Sequence, residues 1–173
     1  MKMYQQGCLD RLCGLYSLVN AVRQLKSLDE EKCQSLFKVM VTMLEKDESL
    51  AGILTGGMYF KDISRLASTV LSDYGIKRSV PFHKSEPNLN EFWSSCVEFL
   101  ERGNCCILLG ISGDIDHWTL AVKATDEMIT LVDSTGLENL EQSACTVGEP
   151  HGNRMNVIWP KQTYFLEVSE EEG

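Results

Sequence analysis

Cys13 is the residue of this sequence whose type and position best suit nucleophilic chemistry. It precedes apolar residues at the spacing of one helix face, namely Leu15, Leu18, Val19, Val22 and Leu25. Successive residues of a helix are rotated by about 100°, so the apolar face points away from Cys13. A cysteine kept for packing would be expected on that apolar face. The first turn of a helix offers unpaired N–H groups and the positive end of the helix dipole, which both favour a thiolate. Cys13 is therefore a candidate nucleophile, and a buried packing cysteine is the alternative.

The neighbours of Cys13 fit the start of a helix. The carboxylate of Asp10 is a plausible N-cap, because it can accept free N–H groups of the first turn. Gly14 has no Cβ, so we expect that a substrate backbone can approach the thiol closely. Ser17, Asn20 and Gln24 lie on the same side of the predicted helix as Cys13 and give that side a polar character.

A histidine and an aspartate further along the chain are candidate partners for this thiol. His117 opens the predicted strand HWTLAV, and Asp133 closes the next one, ITLVD. In an antiparallel hairpin with an odd-numbered loop centred on Thr125, the two residues lie directly opposite each other, whereas a two-residue loop shifts the register and separates them. A carboxylate fixes the tautomer of an imidazole and steadies its protonated form, which suits a general base. The alternative is a purely structural hydrogen bond, and the two other histidines, His83 and His151, are interpreted as surface residues.

The periodicity of apolar residues divides the chain into two halves. Helices are predicted through residues 1–75, with a glycine-rich loop at 51–58, and a further helix is predicted over roughly 89–102. Short strands separated by turn residues dominate residues 76–168, and 169–173 form an acidic tail. The predicted strands are residues 76–82 and the segments CCILLGI, HWTLAVKA, MITLVD, RMNVIWP and QTYFLEV. The sequence therefore predicts a single α+β domain, in which the helix that carries the nucleophile packs on an antiparallel sheet and the site lies between the two halves.

Composition limits the classes of function. The 173 residues carry a net charge of −9, which argues against nucleic acid as a partner. A run of about 18 apolar residues is missing from the sequence, so we expect no membrane span. Seven cysteines without disulfide-scaffold spacing favour a cytoplasmic location. The sequence does not fix the oligomeric state.

Three segments of the chain resemble the papain-like cysteine peptidases, and most closely the small bacterial branch that includes bacteriocin-leader-processing peptidases. These segments are LCGLYSLVNAV, CCILLGISGDIDHWTLAV and ITLVDSTGL. The resemblance implies a papain-like fold and a catalytic triad of Cys13, His117 and Asp133. It also implies an oxyanion-binding glutamine upstream of the nucleophile, for which Gln6 is the first candidate and Gln5 the second.

These observations lead to one functional hypothesis with two alternatives. We expect a thiol peptidase that hydrolyses a peptide or isopeptide bond of a protein or peptide substrate through an acyl-enzyme, without metal or organic cofactor. Cys8, Cys13 and Cys33 lack the paired spacing of a zinc site. The alternatives are a thiol acyltransferase or amidase on the same fold, and a catalytically idle papain-like module that binds a protein.

Overall fold

The computed structural model describes residues 3–8, 10–46, 50–113, 116–150 and 152–168. The described chain contains five α-helices: α1 (Cys13–Lys26), α2 (Glu30–Lys46), α3 (Leu50–Gly56), α4 (Phe60–Asp73) and α5 (Leu89–Leu100). It also contains eight strands: β1 (Ile76–Ser79), β2 (Cys105–Ser112), β3 (His117–Ala124), β4 (Met128–Val132), β5 (Asn139–Glu141), β6 (Cys145–Val147), β7 (Asn156–Ile158) and β8 (Tyr164–Val168). The predicted acidic tail at 169–173 and His151 lie outside the described residues.

The strands form one sheet in the order β1-β8-β2-β3-β4-β5. All neighbours along this path run antiparallel, and β7 pairs antiparallel with β2 while β6 pairs parallel with β7. Helices followed by a mainly antiparallel sheet confirm the predicted α+β class.

Two hydrophobic cores lie on the two faces of the sheet. The larger core joins α1, α2 and α4 to side chains such as Leu108 and Leu120 of the sheet. The smaller core joins α5 to alternate residues of the same strands, such as Ile107 and Leu109. Helix α1 packs against the central strands β2 and β3, as expected for the helix that carries Cys13.

Helix ends follow local sequence signals in most cases. Asp29 accepts a hydrogen bond from the N–H of Lys32 (2.9 Å) and so supports the first turn of α2, while Ser27 ends α1 in the left-handed region. Asn88 and Glu91 form a reciprocal capping box at the start of α5. Gly75 follows α4 with a φ of +60°, the left-handed conformation that is typical of a glycine at the end of a helix.

Three sequence predictions about elements are wrong. The N-cap of α1 is Leu12, and Asp10 instead closes the preceding turn by accepting hydrogen bonds from Gly7 N–H (2.7 Å) and Leu12 N–H (3.2 Å). The predicted loop at 51–58 contains helix α3. The three-residue strands β5 and β6 lie in a segment for which no strand was predicted.

Within the described ranges, no helix has both the length and the apolar character that crossing a membrane requires.

Candidate active site

Cys13 lies at the bottom of a surface cleft of about 490 Å³, at the N-terminus of α1. The residue is 6% exposed, so the thiol is sheltered yet borders the cleft. As the first residue of the helix, its N–H has no acceptor within α1, and the positive end of the helix dipole lies beside the sulfur. Helix α1 thus places the thiol and the N–H of its first residue at one point of the cleft.

The polar side of α1 fixes this helix to two other segments. Ser17, one turn after Cys13, is fully buried and donates its hydroxyl to the carbonyl of Trp118 (3.0 Å), the residue after His117. Asn20 is also fully buried; its side chain exchanges two hydrogen bonds of 3.1 Å with the backbone of Tyr4. Ser17 and Asn20 of the predicted polar face are therefore turned inward, where they hold α1 against β3 and against the segment that contains Gln6, whereas Gln24 is exposed.

His117 and Asp133 form a buried pair. Nε2 of His117 lies 2.6 Å from Oδ2 of Asp133, and both residues are 6% exposed. Burial alone lowers the pKa of His117, but its hydrogen bonds and charge interactions with Asp133 and Cys13 outweigh burial and raise the pKa to about 9. Because Nε2 is bonded to Asp133, Nδ1 is the ring nitrogen available to Cys13. His117 therefore bonds Asp133 through Nε2 and has Cys13 as its other charged or polar neighbour.

The second oxygen of Asp133 accepts three further hydrogen bonds. Its Oδ1 receives the N–H (2.7 Å) and hydroxyl (2.6 Å) of Thr135 and the N–H of Leu137 (3.2 Å). Burial alone raises the pKa of Asp133, but hydrogen bonds from His117 and Thr135 and the charge of His117 lower it well below the usual range. The carboxylate is held both in its orientation and in its charged form.

A β-bulge places His117 and Asp133 on one face of the sheet. Next to the hairpin turn, Ala124 pairs with Ile129, and this register, if continued, puts His117 and Asp133 on opposite faces. The bulge between Ala121 and Lys123 shifts the pairing by one residue, so that Leu120 faces Val132. His117 and Asp133 are thus diagonal neighbours on one face. The predicted directly opposite pairing, with a loop centred on Thr125, is wrong, although the contact that it anticipated exists.

Gln6 borders the same cleft and is fixed by the residue after Asp133. The N–H of Gln6 donates to the carbonyl of Ser134 (3.0 Å), and the Ser134 hydroxyl donates to Oε1 of Gln6 (3.3 Å). With Oε1 engaged, the amide NH₂ is the free end of the side chain. Gln5 also borders the cleft, but its side chain is exposed. The structure brings Gln6, Cys13, His117 and Asp133 together, while their catalytic roles stay predictions.

Gly14 serves packing rather than substrate approach. A Cβ at this position would collide with Cδ1 of Ile63 and lie 2.8 Å from Sδ of Met58. Gly14 is buried against α4, so the expectation that it opens the thiol to a substrate backbone is wrong. Its missing side chain lets α1 and α4 approach closely.

Several residues of the site were not found from sequence. The indole N–H of Trp118 donates to the carbonyl of Met58 (2.8 Å) and thereby fixes the loop that forms one wall of the cleft. Ser134 contacts Gln6, which is distant from it in sequence. Thr135 contacts Asp133 only because the chain turns directly after that residue. Only Ser17 carried a signal, since it lies one turn from Cys13 on the predicted polar face.

The other cysteines and histidines lie in different environments. All seven cysteines are free thiols. Cys8 is exposed at the edge of the cleft, whereas burial raises the pKa of Cys145 to about 12 and raises those of Cys96 and Cys106 further. His83 is exposed, as predicted. Among the described residues, no cluster of three or more His, Cys, Asp or Glu side chains is placed to hold a metal ion.

Comparisons of the chain with models of protein families, with curated proteins and with solved structures found no significant match.

Proposed function

We propose that this chain is a papain-like cysteine peptidase that hydrolyses a peptide or isopeptide bond. The observation that carries the proposal is the buried His117–Asp133 hydrogen bond in the same cleft as Cys13, which lies at the N-terminus of a helix. A purely structural His–Asp pair requires neither a cysteine beside it nor an open cleft that the cysteine and the histidine both line.

The geometry supports a two-step acyl transfer. The thiolate of Cys13 attacks the substrate carbonyl, and the developing oxyanion is stabilised by the Cys13 N–H and the Gln6 amide. Protonated His117 gives its proton to the leaving amine as the C–N bond breaks, which leaves a thioester on Cys13. His117 then takes a proton from water, the resulting hydroxide displaces the thiol, and Asp133 keeps the imidazole in the required tautomer throughout.

Alkylation of Cys13 tests the proposal without a known substrate. At about pH 6 iodoacetamide should label Cys13 faster than the six other cysteines, because an ordinary thiol is almost fully protonated at that pH. His117→Ala is the control, and it should remove the advantage of Cys13 over exposed Cys8. Peptide mapping that finds Cys13 no faster than Cys8 at this pH would overturn the proposal and favour an idle binding module.

A further inference from the structure

The cleft around Cys13 continues into a second hollow. This second hollow, of about 420 Å³, shares part of its wall with the first, namely Met58, Tyr59, Asp116, His117 and Trp118. The two spaces therefore lie side by side along one surface. A substrate bound at Cys13 can extend into the second space without leaving the protein.

Trp159 connects the second hollow to a third. Its side chain lines both the second hollow and a groove of about 540 Å³, whose other wall is formed by residues 85–89 and 146–148. The indole N–H donates to the hydroxyl of Ser112 (2.9 Å), and the backbone N–H of Trp159 donates to Gly110 (3.0 Å). A fixed aromatic ring that is 38% exposed at such a junction is a suitable anchor for a bound chain.

An exposed cation lies along each of the three spaces. Arg11 lines the first, Lys61 the second and Arg154 the third, and each is exposed. None of them forms an ion pair with a residue in the described part of the chain. The chain as a whole has 25 acidic and 16 basic residues, whereas cations slightly outnumber carboxylates among the residues that line the three spaces.

Of the three carboxylates that line these spaces, Glu86 is paired with a cation, whereas Asp10 is hydrogen-bonded to backbone and keeps its charge. Both oxygens of Asp10 accept backbone N–H groups, and Glu86 pairs with Lys161 at 2.5 Å. Asp116 is the remaining carboxylate among the described lining residues that carries no such contact. The net charge of −9 repels an acidic ligand at long range, but salt screens this repulsion beyond about 8 Å, so the nearby cations determine contact.

Resting on the proposed function, we propose that the substrate is an extended polypeptide with acidic residues, which lies from the Cys13 cleft across Trp159 into the third groove. A small amide fills only one hollow, whereas three in series suit an extended chain. Acidic side chains would meet Arg11, Lys61 and Arg154, and the aromatic face of Trp159 would contact the chain between them.

Binding to the Cys13→Ala protein tests this inference separately from catalysis. The probes are fluorescein-labelled peptides of about 12 residues, which reach up to about 40 Å when extended. One set carries Glu and Asp, a second carries Lys and Arg, and a third is neutral. At about 0.15 M salt, fluorescence anisotropy should show that the acidic set binds about tenfold more tightly than the neutral set. Truncation of an acidic peptide to about four residues should remove most of its affinity, because it no longer spans the hollows.

Charge reversal locates the binding surface. Lys61→Glu and Arg154→Glu should each weaken binding of the acidic peptide about fivefold, because each replaces a positive charge that attracts the peptide with a negative charge that repels it. Lys38→Glu on the exposed surface of α2 makes the same change of charge away from the groove and should leave affinity unchanged. Circular dichroism confirms that all three variants are folded.

The binding and labelling results together distinguish this inference from the proposed function. Equal binding of the three peptide sets, or equal effects of Arg154→Glu and Lys38→Glu, would overturn the acidic polypeptide while leaving the proposed function intact if Cys13 is still labelled at about pH 6. Tight binding of the acidic set together with an unreactive Cys13 would overturn the peptidase and leave a module that binds acidic peptides.

Discussion

Asp133 presents its two carboxylate oxygens to different partners. Oδ2 faces Nε2 of His117, while Oδ1 accepts three donors from Thr135 and Leu137. Three donors on one atom leave no room for an NH₂ group at that point. Asp133→Asn preserves the shape of the side chain but replaces one oxygen with an NH₂ group. The site should therefore be sensitive to this substitution.

Asp133→Asn should therefore disable Cys13 about as strongly as His117→Ala. The amide oxygen would stay with the three donors, so its NH₂ would face Nε2, and the ring proton would move to Nδ1. An imidazole protonated there cannot accept the proton of Cys13. We expect iodoacetamide labelling of Cys13 at about pH 6 to fall about 100-fold in both variants. ¹⁵N NMR of the His117 ring checks the tautomer, and an Asp133→Asn protein with undiminished labelling would contradict this account.

Gln6 and Ser134 should act as one unit in acyl transfer. Gln6→Ala should lower the acylation rate with p-nitrophenyl acetate about 100-fold, as expected for loss of one oxyanion donor. Alkylation by iodoacetamide develops no oxyanion, so Cys13 labelling should be unchanged. Ser134→Ala releases Oε1 of Gln6 and should slow acylation about tenfold, with little further effect in the Gln6→Ala protein. If Gln5→Ala is the variant that loses acylation, Gln5 is the oxyanion donor.

At the level of elements, α1 combines positioning and packing on its different sides. Cys13, Ser17 and Asn20 recur at helical spacing, and the last two attach α1 to β3 and to the Gln6 segment. On another side, Gly14 allows contact with α4 and Met58. The position of the thiol therefore depends on three contacts of one helix.

Gly14→Ala should destabilise the protein although alanine favours helix. The added methyl collides with Ile63, and overpacking of this kind costs about 1–3 kcal/mol. Thermal unfolding should show a lower Tm, by about 2–4 °C per kcal/mol. Ile63→Val removes the colliding Cδ1 and should recover part of the loss in the double variant. Gly52→Ala in exposed α3, where a Cβ meets open space, should instead stabilise by up to about 1 kcal/mol. Equal effects of both glycine changes would argue against the packing role.

Sequence periodicity predicted the elements that carry the site and missed what aligns them. Helix α1 and strands β3 and β4 follow from apolar runs at helical or strand spacing. Helix α3 was missed because its glycines indicate a loop in isolation, and tertiary packing overrides that preference. The register of His117 and Asp133 depends on a bulge near Val122, and no local pattern in the sequence marked that bulge.

At the level of the whole molecule, the site joins segments that are far apart in the chain. Residues 5–8, 10, 11, 13, 56–59, 116–118 and 133–135 line the first hollow or contact its residues. Cys13 and His117 meet only when α1 is packed on the sheet, so the buried His117–Asp133 pair is a property of the folded domain. Its ionisation must therefore be linked to folding.

The pair should give stability that depends on pH in two opposite directions. The pKa of Asp133 is lowered by folding, so its contribution is present above its unfolded pKa near 4 and is lost as pH falls below that value. The pKa of His117 is raised from 6.5 to about 9, so its contribution is complete below pH 6.5 and is lost as pH rises through 9. The stabilisation should therefore be largest between about pH 4 and pH 6.5.

Urea unfolding of the wild type and of Asp133→Asn between about pH 3 and pH 10 measures this contribution. The difference in unfolding free energy should be greatest near pH 5 and should shrink by up to about 3 kcal/mol towards pH 10, since a shift of one pKa unit corresponds to about 1.4 kcal/mol. Buried groups with raised pKa values, such as Cys145 and Tyr164, also weaken the fold at alkaline pH. They are present in both proteins, so their effect cancels in the difference. A difference that stays constant from pH 5 to pH 10 would mean that folding does not raise the pKa of His117. The site would then lack the protonated imidazole that the proposed mechanism requires.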